Sequence, residues 1–159
     1  MSDKVIVPLS EQETGERSFN GGIETRLAFN DHGTSLVEGT LVVLTPAYYG
    51  WQLVPAHAHT VVAGTLCHVG VVPQGGVADG AWCDVVVAGS TKCLVEGTTD
   101  VTTDDYLAVP GAAADYLVTN TTTWDDHTAA KAQEDQDSAT PTLIGVWLLG
   151  DRIGFPGRT

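Results

Sequence analysis

The chain is 159 residues long, enough for one domain or at most two very small ones, and it can fold without disulfides or metal. Asp and Glu number 20 against 7 Lys and Arg, a formal net charge of −13, which excludes a sequence-independent nucleic-acid binder and a polybasic membrane-surface domain, because both need clustered cations. No apolar run approaches the roughly 18–20 residues of a spanning helix, and Met-Ser-Asp-Lys opens no secretory signal, so synthesis in the cytoplasm is expected.

In chain order, residues 1–35 carry little pattern and read as an extended N-terminal arm, the alternative being a disordered terminus. Their one apolar run is Val5-Ile6-Val7-Pro8-Leu9. From residue 36 to 159 a β-barrel domain is expected. Val and Thr suit a half-buried pleated surface, and 18 Gly and 7 Pro supply frequent turns. The expected strands are Leu41–Leu44, Trp51–Val54, Leu66–Val72, Trp82–Val87, Lys92–Glu96, Tyr106–Val109, Asp115–Thr119 and Leu143–Leu149. A hairpin turn is expected at Ala88-Gly89-Ser90-Thr91. The acidic 120–140 segment reads as an insertion, and its Asp125–Gln136 stretch is either a short helix or a long loop.

A weak internal repeat relates Pro46–Val54 to Pro110–Val118, and Val69–Val72 to Ile144–Trp147. Cys67, Cys83 and Cys93 make an odd count. With a hairpin between them, Cys83 and Cys93 do not reach disulfide geometry, so all three read as reduced core residues.

Chemistry-bearing constellations are few. His57-Ala-His59 with His68 is the weak metal candidate, because alternate strand residues point the same way. The glutamate that a cupin-type site needs is missing, and a polar loop with one barrel histidine accounts for the same residues. There is no nucleophile elbow and no phosphate-binding glycine loop. Asp104-Asp105, Asp125-Asp126 and Glu134–Asp137 read as solvated acidic loops. Of the four tryptophans, Trp124 is the candidate exposed ligand contact, while Trp51, Trp82 and Trp147 are expected in the core.

The run from Gly64 to Leu107 combines a Gly-Val strand, the Gly-rich turn at Gly76, the Val-rich stretch Trp82–Gly89 and the acidic Asp104-Asp105 turn. Together with Ile144-Gly-Val-Trp-Leu-Leu149, it resembles the small β-barrel or β-tulip-like domain of tailed-phage head-decoration (cement) proteins. The likeness covers roughly residues 40–150. Asp104-Asp105-Tyr106 and the long 120–140 segment depart from that pattern.

The resemblance implies a structural protein on the capsid exterior of a virion. Its partner would be the major capsid protein, and it would sit there as a homo-oligomer, a trimer, bracing the shell against internal pressure. No catalytic role, cofactor, metal, direct nucleic-acid contact or membrane contact is expected. Val5, Ile6, Val7 and Leu9 are the expected capsid-binding residues, because a β-branched run can add a strand to a neighbour's sheet edge. The alternatives are another surface β-module that binds carbohydrate through Trp124, or a metal-dependent cupin-like enzyme.

Overall fold

A computed structural model describes residues 18–20, 22–47, 50–55, 68–110, 114–119 and 128–150. These hold ten strands: β1 Ser18–Asn20, β2 Ile23–Asn30, β3 Leu41–Ala47, β4 Gly50–Pro55, β5 His68–Val71, β6 Trp82–Glu96, β7 Tyr106–Ala108, β8 Leu117–Thr119, β9 Thr128–Ala132 and β10 Thr142–Leu149. Among the described residues there is no helix. The protein is mainly β, built around closed strand rings.

The ladders close two rings that share one long strand. In the first ring β2 pairs β4, β4 pairs β3, β3 pairs β5, β5 pairs β6, and β6 returns to β2. In the second, β6 pairs β8, β8 pairs β7, β7 pairs β9, β9 pairs β10, and β10 returns to β6. Trp82–Ala88 of β6 lies against β2, while Ala88–Val95 lies against β10. Each ring contains one parallel pair, β2 with β4 and β6 with β8. Taken in chain order, strands β2 to β6 therefore occupy the same places as β6 to β10.

The loops repeat as well. Leu36 and Val77 exchange backbone hydrogen bonds of 2.8 Å, and Val101 and Gln136 exchange bonds of 2.8 and 2.9 Å. Gly39 N–H donates to the Val72 carbonyl (3.0 Å), and Asp104 N–H donates to that of Ala132 (2.9 Å). Gly39 has φ +80°, and Asp104 has φ +76°, the one described non-glycine residue with positive φ. Aspartate tolerates this conformation better than most residues. The internal repeat is thus present in the topology, and the match of Leu53-Val54 in β4 with Leu117-Val118 in β8 holds. The other half does not. The counterpart of β5 is β9, and Ile144–Trp147 corresponds to the first half of β6.

Alternation along the strands sorts the core. Ala28, Leu36, Val42, Leu44, Val72, Val77, Val85 and Val87 form one buried cluster. Cys93, Val95, Leu107, Leu117, Ile144 and Val146 belong to a second. Leu41, Val43, Val69, Val71 and Val86, on first-ring strands, join that second cluster, so the two rings are packed on each other. Backbone bonds from Leu41 N–H to the Asp115 carbonyl and from Leu94 N–H to the Gly39 carbonyl, both 2.9 Å, tie them further.

Four expectations are corrected. The arm does not extend to residue 35, because Ser18–Asn20 and Ile23–Asn30 are strands and β2 closes the first ring. Its buried positions include Glu24, Ala28 and Asn30, too polar and small to show as an apolar stripe. Asn30 holds its place by donating to the carbonyls of Thr34 (3.0 Å) and Ala78 (3.1 Å).

The hairpin at Ala88–Thr91 is instead the middle of β6. A bulge opposite Glu24 and Thr25 re-aims the strand there, and Gly89 takes φ +93°. Thr128–Ala132, inside the helix candidate, is strand β9. Its alanines are buried, and pairing with both β7 and β10 outweighs their helix propensity. Finally, Trp82 and Trp147 are 50% and 45% exposed rather than core residues.

Cys83 and Cys93 are free thiols, near opposite ends of the single strand they share and so beyond disulfide reach. Cys67 lies outside the described residues.

Candidate functional site

Val5, Ile6, Val7, Leu9, His57, His59 and Trp124 lie outside the described residues. His68 begins β5 and pairs with Leu44. No group of three or more His, Cys, Asp or Glu that could hold a metal occurs among the described residues.

The most distinctive surface is the outward face of the second ring, which was not expected. On β10 the buried residues are Ile144, Val146 and Leu148, so the residues between them, Leu143, Gly145 and Trp147, face outward. Trp147 stands opposite Ser90 on β6 and opposite Lys131 on β9, and Lys131 stands opposite Tyr106 on β7. Cross-strand partners are about 4.5–5.5 Å apart, so Ser90, Trp147, Lys131 and Tyr106 form one row across four strands.

The row is held in place by its own contacts. Lys131 Nζ lies 5.3 Å from the Tyr106 ring centroid and 3.5 Å from Asp104 Oδ1. Gln133 accepts the Ser90 hydroxyl at 2.8 Å, and Glu134 Oε2 accepts the Gly145 N–H at 2.8 Å. Gly145 has no side chain, which leaves room for Gln133 and Glu134 to lean over β10. In the next row Lys92 stands opposite Gly145, is exposed, and makes no ion pair among the described residues. Beyond it a groove of about 320 Å³ runs between the rings, bordered by Glu38, Gln74, Thr91, Lys92 and Leu143.

An aromatic pair sits on the first ring, where Phe29 and Trp82 have centroids 5.2 Å apart at 55°. The equivalent loop ends of the two rings differ in chemistry. In the first ring Leu36, Val37, Val77 and Ala78 line an apolar groove. In the second, Asp100, Val101, Thr102, Asp135, Gln136 and Asp137 line an acidic one. Hydrogen bonds from the hydroxyl and N–H of Thr103 hold the Asp135 carboxyl below its usual range. Burial pushes the Cys83 thiol up to about 11, with Asp84 adding to the shift, and raises Cys93 further still. Neither is an activated nucleophile.

One similarity to a known protein bears on this arrangement. The fold matches the N base of the head fiber gp8.5 of bacteriophage phi29. The TM-score is 0.51 and the sequence identity 13%, and the match covers 82% of this chain and 98% of that one. At such identity the likeness is one of fold. No protein-family model matches the chain, and no curated protein is similar to it.

The exposed tryptophans were legible in principle. Strict alternation places Trp147 out of phase with Ile144, Val146 and Leu148, and Trp82 out of phase with Val85 and Val87. The expectation that a large aromatic goes inside overrode that signal.

Proposed function

We propose that this chain is a structural protein of a tailed-phage virion that seats on the outer surface of the assembled capsid and stabilises it, in the manner of decoration proteins. The observation that carries this reading is the fold shared with a head-fiber base over 98% of that chain, which agrees with the head-decoration resemblance of Gly64–Leu107. The major capsid protein is the partner, and three copies of the chain share each seat. The role is mechanical: no reaction, cofactor or nucleic-acid contact is assigned to it.

In this reading, residues before β1 supply the capsid contact. Val5, Ile6, Val7 and Leu9 add a strand to an exposed sheet edge of the capsid protein. Backbone hydrogen bonds then give affinity, and alternate side chains enter pockets. Ordering a free segment costs conformational entropy, which several arms in one oligomer offset by avidity.

The test is co-sedimentation with assembled phage heads. The full chain should pellet with heads and raise the temperature at which they release DNA. Failure to pellet at any concentration refutes the capsid role. Deleting residues 1–17 stops just before β1. A folded truncation that no longer pellets supports the arm, whereas one that pellets at full strength moves the contact onto the rings.

A further inference from the structure

We infer that the outward face of the second ring, centred on Trp147, is a binding site for an acidic saccharide. Three independent features converge there. The first is an indole 45% exposed in the middle of an eight-residue strand. Aromatic faces are costly to leave in water, and the outer surface of the ring presents this one as a platform for the C–H face of a sugar ring.

The second feature is a fixed polar frame beside the indole. The Ser90–Gln133 hydrogen bond crosses β10 next to Trp147 and holds the Gln133 side chain in place. The carboxylates nearby are each engaged through one oxygen, Glu134 with the Gly145 N–H and Asp104 with Lys131. The frame thus offers a ligand donors in the Gln133 amide nitrogen and the lysine ammonium groups, and acceptors for sugar hydroxyls in the remaining carboxylate lone pairs.

The third feature is charge. The chain carries −13 overall, and its described cations are Arg26, Lys92 and Lys131. Two of these flank the indole on the same face. Lys131 is tied to Asp104, while Lys92 makes no ion pair among the described residues. A carboxylate or phosphate on the sugar would find its counter-ion in Lys92, the exposed cation of this face, with Glu38 across the groove holding the rest of the sugar through its hydroxyls. The groove of about 320 Å³ that begins at Lys92 lets a chain of sugars continue between the rings. A saccharide is favoured over an acidic protein surface because the platform carries one exposed aromatic beside donors, with no wider apolar core of the kind protein interfaces bury.

The inference does not depend on the capsid role, and its test needs no capsid. The full-length protein is applied to an array of neutral, uronic-acid-bearing, sialylated and phosphorylated glycans, and hits are measured by calorimetry. Binding confined to acidic glycans is expected. It should weaken roughly ten-fold or more in Trp147→Ala, weaken in Lys92→Gln, and be largely kept in Trp147→Phe. The unfolding midpoint of each variant shows that the fold is intact, and Trp82→Ala serves as the control for an exposed tryptophan elsewhere.

The inference is overturned if no acidic glycan binds, if neutral glycans bind equally well, or if Trp147→Ala and Lys92→Gln leave binding unchanged. It is also overturned if sedimentation shows a concentration-dependent self-association that Trp147→Ala abolishes, because the face would then be covered by a second copy.

Discussion

Replacing Gly89 by alanine tests the two-ring architecture at its crossing point. Gly89 has φ +93° in mid-strand, where β6 leaves the first ring and enters the second. A Cβ there would run into the Gly22 carbonyl oxygen and lie 2.9 Å from Ile23 Cα. Two costs add: about 1–2 kcal/mol for a side chain at positive φ, and about 1–3 kcal/mol for overpacking against backbone that cannot rotate away. The reduced freedom of the unfolded chain returns about 0.4–1 kcal/mol. The net expectation is a loss of roughly 1–4 kcal/mol, read as a lower urea midpoint at unchanged slope.

Gly22→Ala separates the two terms. Gly22 has φ +84° with no atom within 4 Å of a built Cβ, so only the strain applies. Gly89→Ala should therefore be the more damaging by about 1–3 kcal/mol. Were Ala88–Thr91 a hairpin turn, Gly22 would be remote from Gly89, and the two substitutions would cost the same. Equal midpoints for the two variants refute the shared-strand reasoning.

Other outcomes follow from the same geometry. Val85→Ala and Val146→Ala, both 0% exposed, should each cost about 1–3 kcal/mol in urea unfolding, and unchanged midpoints would remove these valines from the core. Asp104→Val places a β-branched residue at φ +76° and should destabilise by about 1–2 kcal/mol, whereas Asp104→Asn should change stability by less than about 0.5 kcal/mol. The Cys83 thiol is raised from 9.0 to about 11, so its contribution to stability is complete below pH 9 and is lost as pH rises towards 11. Cys83→Ser should flatten that alkaline decline, and a decline of the same shape in the variant would assign it elsewhere. Thr103→Val removes the hydroxyl donor to Asp135 and should move that carboxyl up towards its usual range, as followed by NMR titration. An unmoved titration would contradict the assigned cause.

Local chemistry made much of the fold readable. Short apolar runs rich in valine at Leu41–Leu44 and Val85–Val87, buried on both faces, and the alternating Leu143–Leu149 announce strands. The equivalence of β4 and β8 was legible from the match of Leu53-Val54 with Leu117-Val118, though not their places in the rings. Where the local signal and the tertiary context conflict, the sequence misleads. Thr128–Ala132 has the composition of a helix and becomes a strand, since its backbone pairs with β7 and β10 and its alanines are buried there. Ile23–Asn30 alternates Ile23, Leu27 and Phe29 on one face with Glu24, Arg26 and Asn30 on the other, yet it is Glu24, Ala28 and Asn30 that are buried when its backbone closes a ring.

Composition, charge and apolar patterning by themselves determined that this is an acidic, mainly β protein, and which valine- and leucine-rich runs form strands. Those are properties of a residue and its immediate neighbours. The tertiary structure alone decided that β6 runs through Ala88-Gly89-Ser90 and serves two rings, because the choice between turning and continuing depends on partners 64 residues earlier and 57 later: Glu24 lies opposite Ala88, and Trp147 opposite Ser90. The same long-range pairing sets Trp147, Lys131 and Lys92, which are scattered in the chain, side by side on one face.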